Sequence, residues 1–80
     1  MTRRSILLVD DDPRFLTDMG RFLGSEHVLA TEADGDAALS RLGSETPDVV
    51  LLDLDLGSGT SGFDVLDRLA ERAGARLSDK

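Results

Sequence analysis

The sequence predicts a parallel α/β layer fold, and three observations carry that reading. Two short apolar runs, Ile6-Leu7-Leu8-Val9 and Val49-Val50-Leu51-Leu52, show no alternation, as expected of strands buried on both faces. Both runs end in carboxylates, Asp10-Asp11-Asp12 in one case and Asp53 in the other. Between and after them lie segments with helical spacing and turn signals, so the chain reads strand, helix, strand, helix, strand, helix.

Taken in order, residues 5–9 form the first strand. Asp12 is placed to cap the following helix and Pro13 suits its first position, with Phe15, Leu16, Met19, Phe22 and Leu23 as the core-facing side. Gly24 stands where a left-handed stop is expected. Val28-Leu29-Ala30-Thr31 makes a weaker second strand, and Asp34-Gly35 turns the chain into a helix over 36–42 that Gly43 stops. The third strand follows the loop 44–47. Residues 54–61, rich in Gly, Ser and Thr, read as a flexible loop, and Ser61 with Asp64 forms a capping box for a third helix. Val65, Leu66, Leu69, Ala70 and Ala73 share one face of that helix and Gly74 ends it; residues 75–80 read as a tail.

Eighty residues make one small domain, which buries only about 60–65 % of the surface its unfolded chain exposes. No cysteine is present, so neither disulfides nor a thiolate metal site can reinforce it. Nine basic against sixteen acidic residues give a charge of −7, which argues against a nucleic-acid or anionic-membrane surface in this segment. Arg3 and Arg4 precede an apolar run too brief for a signal peptide, and no segment approaches a membrane span. The expected location is cytoplasmic.

With the most apolar strand central, the strand order becomes 2-1-3, with helices on both faces. Asp10, Asp11 and Asp53 then converge at the carboxyl edge, where open α/β sheets bind ligands. Converging carboxylates repel unless a cation neutralises them, and Mg²⁺ is the natural occupant because it takes one or two carboxylates and keeps waters or phosphate oxygens. Such a site suits phosphoryl transfer, with Asp53 as nucleophile and Asp10 and Asp11 as metal holders. The bland alternative for each of these carboxylates is helix capping plus solvated charge. His27, with no acidic partner at ligand spacing, reads as a surface residue, and Asp64, Asp67, Arg68, Glu71 and Arg72 as a solvated helix face. Ser58, Gly59 and Ser61 lack the Lys of a P-loop.

Leu7-Leu8-Val9-Asp10-Asp11-Asp12-Pro13, then Glu32-Ala33-Asp34-Gly35-Asp36-Ala37-Ala38-Leu39, then Pro47-Asp48-Val49-Val50-Leu51-Leu52-Asp53-Leu54-Asp55-Leu56, resembles the receiver domain of two-component response regulators. The resemblance covers residues 5 to about 73. It implies a three-layer, flavodoxin-like parallel sheet, of which this chain holds the 2-1-3 portion. It implies that Asp53 accepts a phosphoryl group from a histidine kinase or a histidine phosphotransfer protein. Asp10 and Asp11 correspond to the acidic pair on Mg²⁺, Asp55 to the position whose backbone carbonyl completes the metal shell, and Gly62 to the glycine opening the third helix. The family's members promote their own phosphoryl transfer and dephosphorylation but are signalling acceptors, so no enzyme of separate turnover is expected.

Two departures stand out. The loop 57–61 lacks the family's proline and runs about one residue longer. The fourth strand ending in Thr or Ser and the fifth followed by Lys are absent, and Lys80 occupies no equivalent place, so a truncated receiver over 1–80 is expected. That leaves the third strand as an apolar edge. Two readings follow: a phosphoacceptor receiver that binds Mg²⁺ weakly and accepts phosphate poorly, or a non-phosphorylated module acting in protein–protein interaction, such as a homodimer through the third-strand edge.

Overall fold

The computed structural model describes residues 3–57 and 59–72. Its elements are β1 (Ser5–Val9), α1 (Pro13–Gly24), β2 (Val28–Glu32), α2 (Gly35–Leu42), β3 (Val49–Leu52) and α3 (Gly62–Arg72). The sheet is parallel throughout, in the order β2-β1-β3. The expected positions of Ala73, Gly74 and the tail, like Ser58, lie outside the described residues.

Register follows from the apolar pattern. Leu7 pairs with Ala30 and Val50, and Val9 with Glu32 and Leu52. Side chains alternate across a strand, so Leu7 and Val9 share the face covered by α2 and α3. There Leu7, Val9, Ala38, Leu42, Leu56 and Val65 form the buried cluster, flanked by Ala30, Leu39, Val50, Leu52 and Leu69. Ile6 and Leu8 are buried on the opposite face, where α1 packs. Helices therefore cover both faces, as right-handed crossovers require.

The amino-terminal end of the sheet is closed by reciprocal bonds. The Ser5 N–H donates to the Asp48 carboxylate (2.8 Å) and the Asp48 N–H donates to the Ser5 carbonyl (2.8 Å). On the other side the Val28 N–H donates to the Arg4 carbonyl (2.9 Å), and the half-buried His27 accepts from the Arg4 N–H at Nδ1 (3.3 Å).

Helix starts follow local chemistry. Asp12 accepts from the Arg14 and Phe15 N–H groups (3.0 and 3.4 Å), and Asp34 accepts from the Ala37 N–H (2.7 Å), starting α2 at Gly35, one residue before the expected position. In α3 the Asp64 N–H donates to Ser61 Oγ (3.2 Å) while the Ser61 N–H donates to the Asp64 carboxylate (3.1 Å), a reciprocal capping box.

Three expectations are corrected. Gly24 is not a left-handed stop: it belongs to the last turn of α1, and Ser25 after it is right-handed (φ −72°). The Glu26 and His27 N–H groups take up the Leu23 carbonyl (3.2 and 3.0 Å), so no positive φ is needed. The apolar side of α1 is not a buried core either. Leu16, Met19 and Leu23 are half-buried, whereas Phe15 is 40 % and Phe22 73 % exposed. At 3.6 residues per turn, Phe15 and Phe22 lie about 100° off the line of Leu16 and Leu23 that faces the sheet. Finally, β3 is not buried on both faces. Val49 and Leu51 are 37 % and 39 % exposed, because α1 packs against β2, at the far side of the sheet from β3.

Packing alone thus separates the apolar residues. Leu7→Ala, at 1 % exposure, is expected to lower unfolding stability by about 2–5 kcal/mol, whereas Phe22→Ala stays within about 0.5 kcal/mol, both read from urea denaturation.

Candidate functional site

Both β1 and β3 continue their hydrogen bonding one residue into acid. The Asp10 N–H donates to the Glu32 carbonyl (3.1 Å), and the Asp53 N–H donates to the Val9 carbonyl (2.9 Å). The ladder itself therefore sets the first carboxylate after β1 beside the first carboxylate after β3. One oxygen from each of Asp10, Asp11 and Asp53 lies within 4.8 Å of the others. Asp10 and Asp53 are half-buried and Asp11 is exposed.

Two of the three carboxylates are oriented by their own backbone. Asp10 Oδ1 accepts from the Asp12 N–H (2.9 Å) and Asp53 Oδ1 accepts from the Asp55 N–H (3.0 Å). Each is a short Asx turn, which fixes one oxygen of the carboxylate. Among the described residues no Lys or Arg forms an ion pair with these carboxylates. The donor set is all oxygen and strongly anionic, the kind that takes a hard divalent cation.

Asp12 stands outside the cluster, with its carboxylate on the first turn of α1. Asp55 has an exposed side chain, and its backbone N–H serves Asp53. Beside Asp10 and Asp53 runs a groove of about 460 Å³, lined by Leu8, Val9, Phe15, Leu51 and Leu52 together with the two carboxylates.

Glycine permits the close approach of α3. A Cβ at Gly62 would stand 2.5 Å from both the Asp53 carbonyl oxygen and the Leu54 Cα, so only glycine lets α3 begin directly against the end of β3. The loop between them is less free than its composition predicts. Leu56 is only 5 % exposed and anchors it in the core, while Gly57 and Gly59 carry its two positive-φ turns (73° and 88°).

Three side-chain contacts of α2 were not expected from the sequence. Thr60 Oγ1 donates to Asp36 Oδ1, joining the loop to the first turn of α2. Arg41 of α2 donates through Nε to Glu32 at the end of β2 (2.7 Å) and through Nη1 to Glu45 (3.1 Å). The hydrogen bond with Glu32 raises the Arg41 pKa above its ordinary value. The Arg41–Glu45 spacing of four is a sequence signal for a pair; the others depend on how the elements pack.

The family model described as the response regulator receiver domain matches residues 6–77. The chain belongs to that family. Curated relatives of this receiver include the "Heme response regulator HssR" of several Staphylococcus aureus strains, 38 % identical over 64 residues, which are 79 % of this chain and 28 % of the relative. The chain thus spans little more than a quarter of those relatives. Among solved structures, the N-terminal domain of a response regulator/sensory box/GGDEF 3-domain protein from Carboxydothermus hydrogenoformans superposes with a TM-score of 0.73 at 27 % identity, covering 90 % of this chain and 58 % of that one. A yeast Spc42 trimeric coiled-coil fusion reaches a TM-score of 0.79 at 23 % identity over 91 % of this chain and 49 % of its own, a likeness of fold. The receiver fold and the 2-1-3 sheet therefore agree with the sequence reading.

Gly62→Ala is expected to lower the receiver's stability by about 1–3 kcal/mol through overpacking and to shift the amide signals of Asp53 and Leu54. Gly24→Ala, in a helix with open space around it, is expected to be neutral or stabilising by up to about 1 kcal/mol. Urea denaturation and amide NMR spectra check both.

Proposed function

We propose that this receiver is a phosphoacceptor of a two-component system, taking a phosphoryl group onto Asp53 from a histidine kinase or a histidine phosphotransfer protein. The observation that carries the reading is the convergence of Asp10, Asp11 and Asp53 oxygens within 4.8 Å at the carboxyl edge of the sheet. This donor set fits Mg²⁺, with Asp10, Asp11 and Asp53 as carboxylate ligands and the Asp55 backbone carbonyl as a further one. Bound there, Mg²⁺ would offset charge on the transferring phosphoryl oxygens.

The chain's own residues do the rest. The Asp55 N–H holds Asp53 Oδ1, and Oδ2 is the oxygen left to attack phosphorus. A phosphorus–oxygen bond forms as the phosphorus–nitrogen bond of phosphohistidine breaks, its electron pair leaving with the imidazole; the product is an aspartyl phosphate. Asp10, held by the Asp12 N–H, would be one of the carboxylates that hold the metal. The receiver acts as a stoichiometric acceptor and not as an enzyme turning over a separate substrate. Its net charge of −7 fits a protein partner better than a nucleic acid, and among the described residues no helix is long and apolar enough to cross a membrane. The cytoplasm is the compartment this reading implies.

A second reading, a receiver-like module that is not phosphorylated and dimerises through β3, is favoured by one feature. Val49 and Leu51 of that strand are 37 % and 39 % exposed. A concentration-dependent dimer in sedimentation that Leu51→Lys disperses would support it, and a monomer at all concentrations would sink it.

Acetyl phosphate with Mg²⁺ is expected to add one phosphoryl mass to a minor fraction of the wild-type chain, read by intact mass, and nothing to Asp53→Asn; an adduct surviving in Asp53→Asn would overturn the assignment, and a near-stoichiometric wild-type adduct would overturn the expectation of poor acceptance. In Mg²⁺ titrations, Asp11→Asn is expected to weaken binding about tenfold or more, while Asp12→Asn, which loses only a cap, changes it by less than about threefold. Equal losses would contradict the separate roles.

A further inference from the structure

We propose that Asp36 and Thr60 are positioning residues for the acidic site, because their hydrogen bond holds the β3–α3 loop so that Gly57 stays against Asp11. The inference deepens the phosphoacceptor reading and rests on it for its functional meaning. Asp10 and Asp53 are each oriented by a backbone N–H two residues on, but among the described residues nothing donates to the Asp11 carboxylate. What lies against it is Gly57: a Cβ there would stand 3.4 Å from Asp11 Oδ2. At φ +73° Gly57 is also in the conformation that other residues adopt only with strain. The loop thus forms one wall of the Asp11 position.

That wall needs support at both ends. On one side is Leu56, buried in the core. On the other, the loop passes through Gly59, which also has a positive φ (+88°), a conformation open to glycine without strain. Thr60 ends it. Its hydroxyl donates to Asp36 Oδ1, and its carbonyl sits so close over Gly35 that a Cβ there would overlap it. The anchor point is itself rigid, since α2 is capped by Asp34 (2.7 Å) and tied to β2 through Arg41 and Glu32 (2.7 Å). Where a proline would stiffen such a loop from within, this chain holds it from outside through α2.

The test is a Mg²⁺ titration by calorimetry on the whole chain, with amide exchange measured at Gly57. Thr60→Val and Asp36→Ala are each expected to weaken Mg²⁺ binding about threefold to tenfold and to speed exchange at Gly57, while Thr60→Ser stays within about twofold of wild type. The double variant is expected to be no weaker than either single one, as for partners in one bond. Wild-type affinity in Thr60→Val, a Thr60→Ser as weak as Thr60→Val, or losses that add in the double variant would each overturn the proposal. A wild-type chain that shows this dependence but takes no phosphoryl group supports the positioning and sinks the phosphoacceptor reading. A wild-type chain that binds no Mg²⁺ overturns both.

Discussion

The pairing of β1 on both sides is the constraint on which the carboxylate cluster depends. Val9 is in register with Glu32 and Leu52, and the ladder runs one residue further on each side, through the Asp10 and Asp53 N–H groups. A slip of one residue between β1 and β3 would move Asp53 by about 3.3 Å and turn its side chain to the other face. The register is held at the far end by the reciprocal Ser5–Asp48 bonds and along the middle by Leu7 and Val9 in the core. An apolar core and a polar clasp thus determine where an anionic site forms.

The site divides into parts of different stiffness. Asp10 and Asp53 sit on strand ends and are oriented by backbone donors, so little freedom remains to them. Asp11 is exposed, and its neighbour Gly57 belongs to a loop whose order comes from elsewhere: Leu56 in the core, Gly62 pressed against Asp53, and Thr60 on Asp36.

Features that depend on neighbours in sequence were legible before the structure. The two apolar runs ending in Asp10 and Asp53, the cap at Asp12, the Asp34-Gly35 turn and the Ser61–Asp64 box all rest on local hydrogen bonding or on period. The parallel order, with β1 central, was legible because only the most apolar strand can be covered on both sides. What the residues did not disclose depends on distant packing. Phe22 has the spacing of a core residue but lies to the side of the line facing the sheet, and Val49 and Leu51 look like Leu7 and Val9 yet face an uncovered side. Leu56 sits in a Gly- and Ser-rich stretch that reads as flexible, although its side chain is in the core. The Thr60–Asp36 bond joins residues 24 apart, and no local pattern announces it.

The central claim is that register brings Asp10, Asp11 and Asp53 together into a single divalent-cation site. Adding Mn²⁺ in trace amounts and following paramagnetic broadening of the amide signals tests it most directly. The account predicts that the signals of Asp10, Asp11, Asp53 and Asp55 broaden first and recover when excess Mg²⁺ is added, while those of His27 and Ser44 stay sharp. Broadening spread evenly over the acidic surface, or centred away from the ends of β1 and β3, would contradict it.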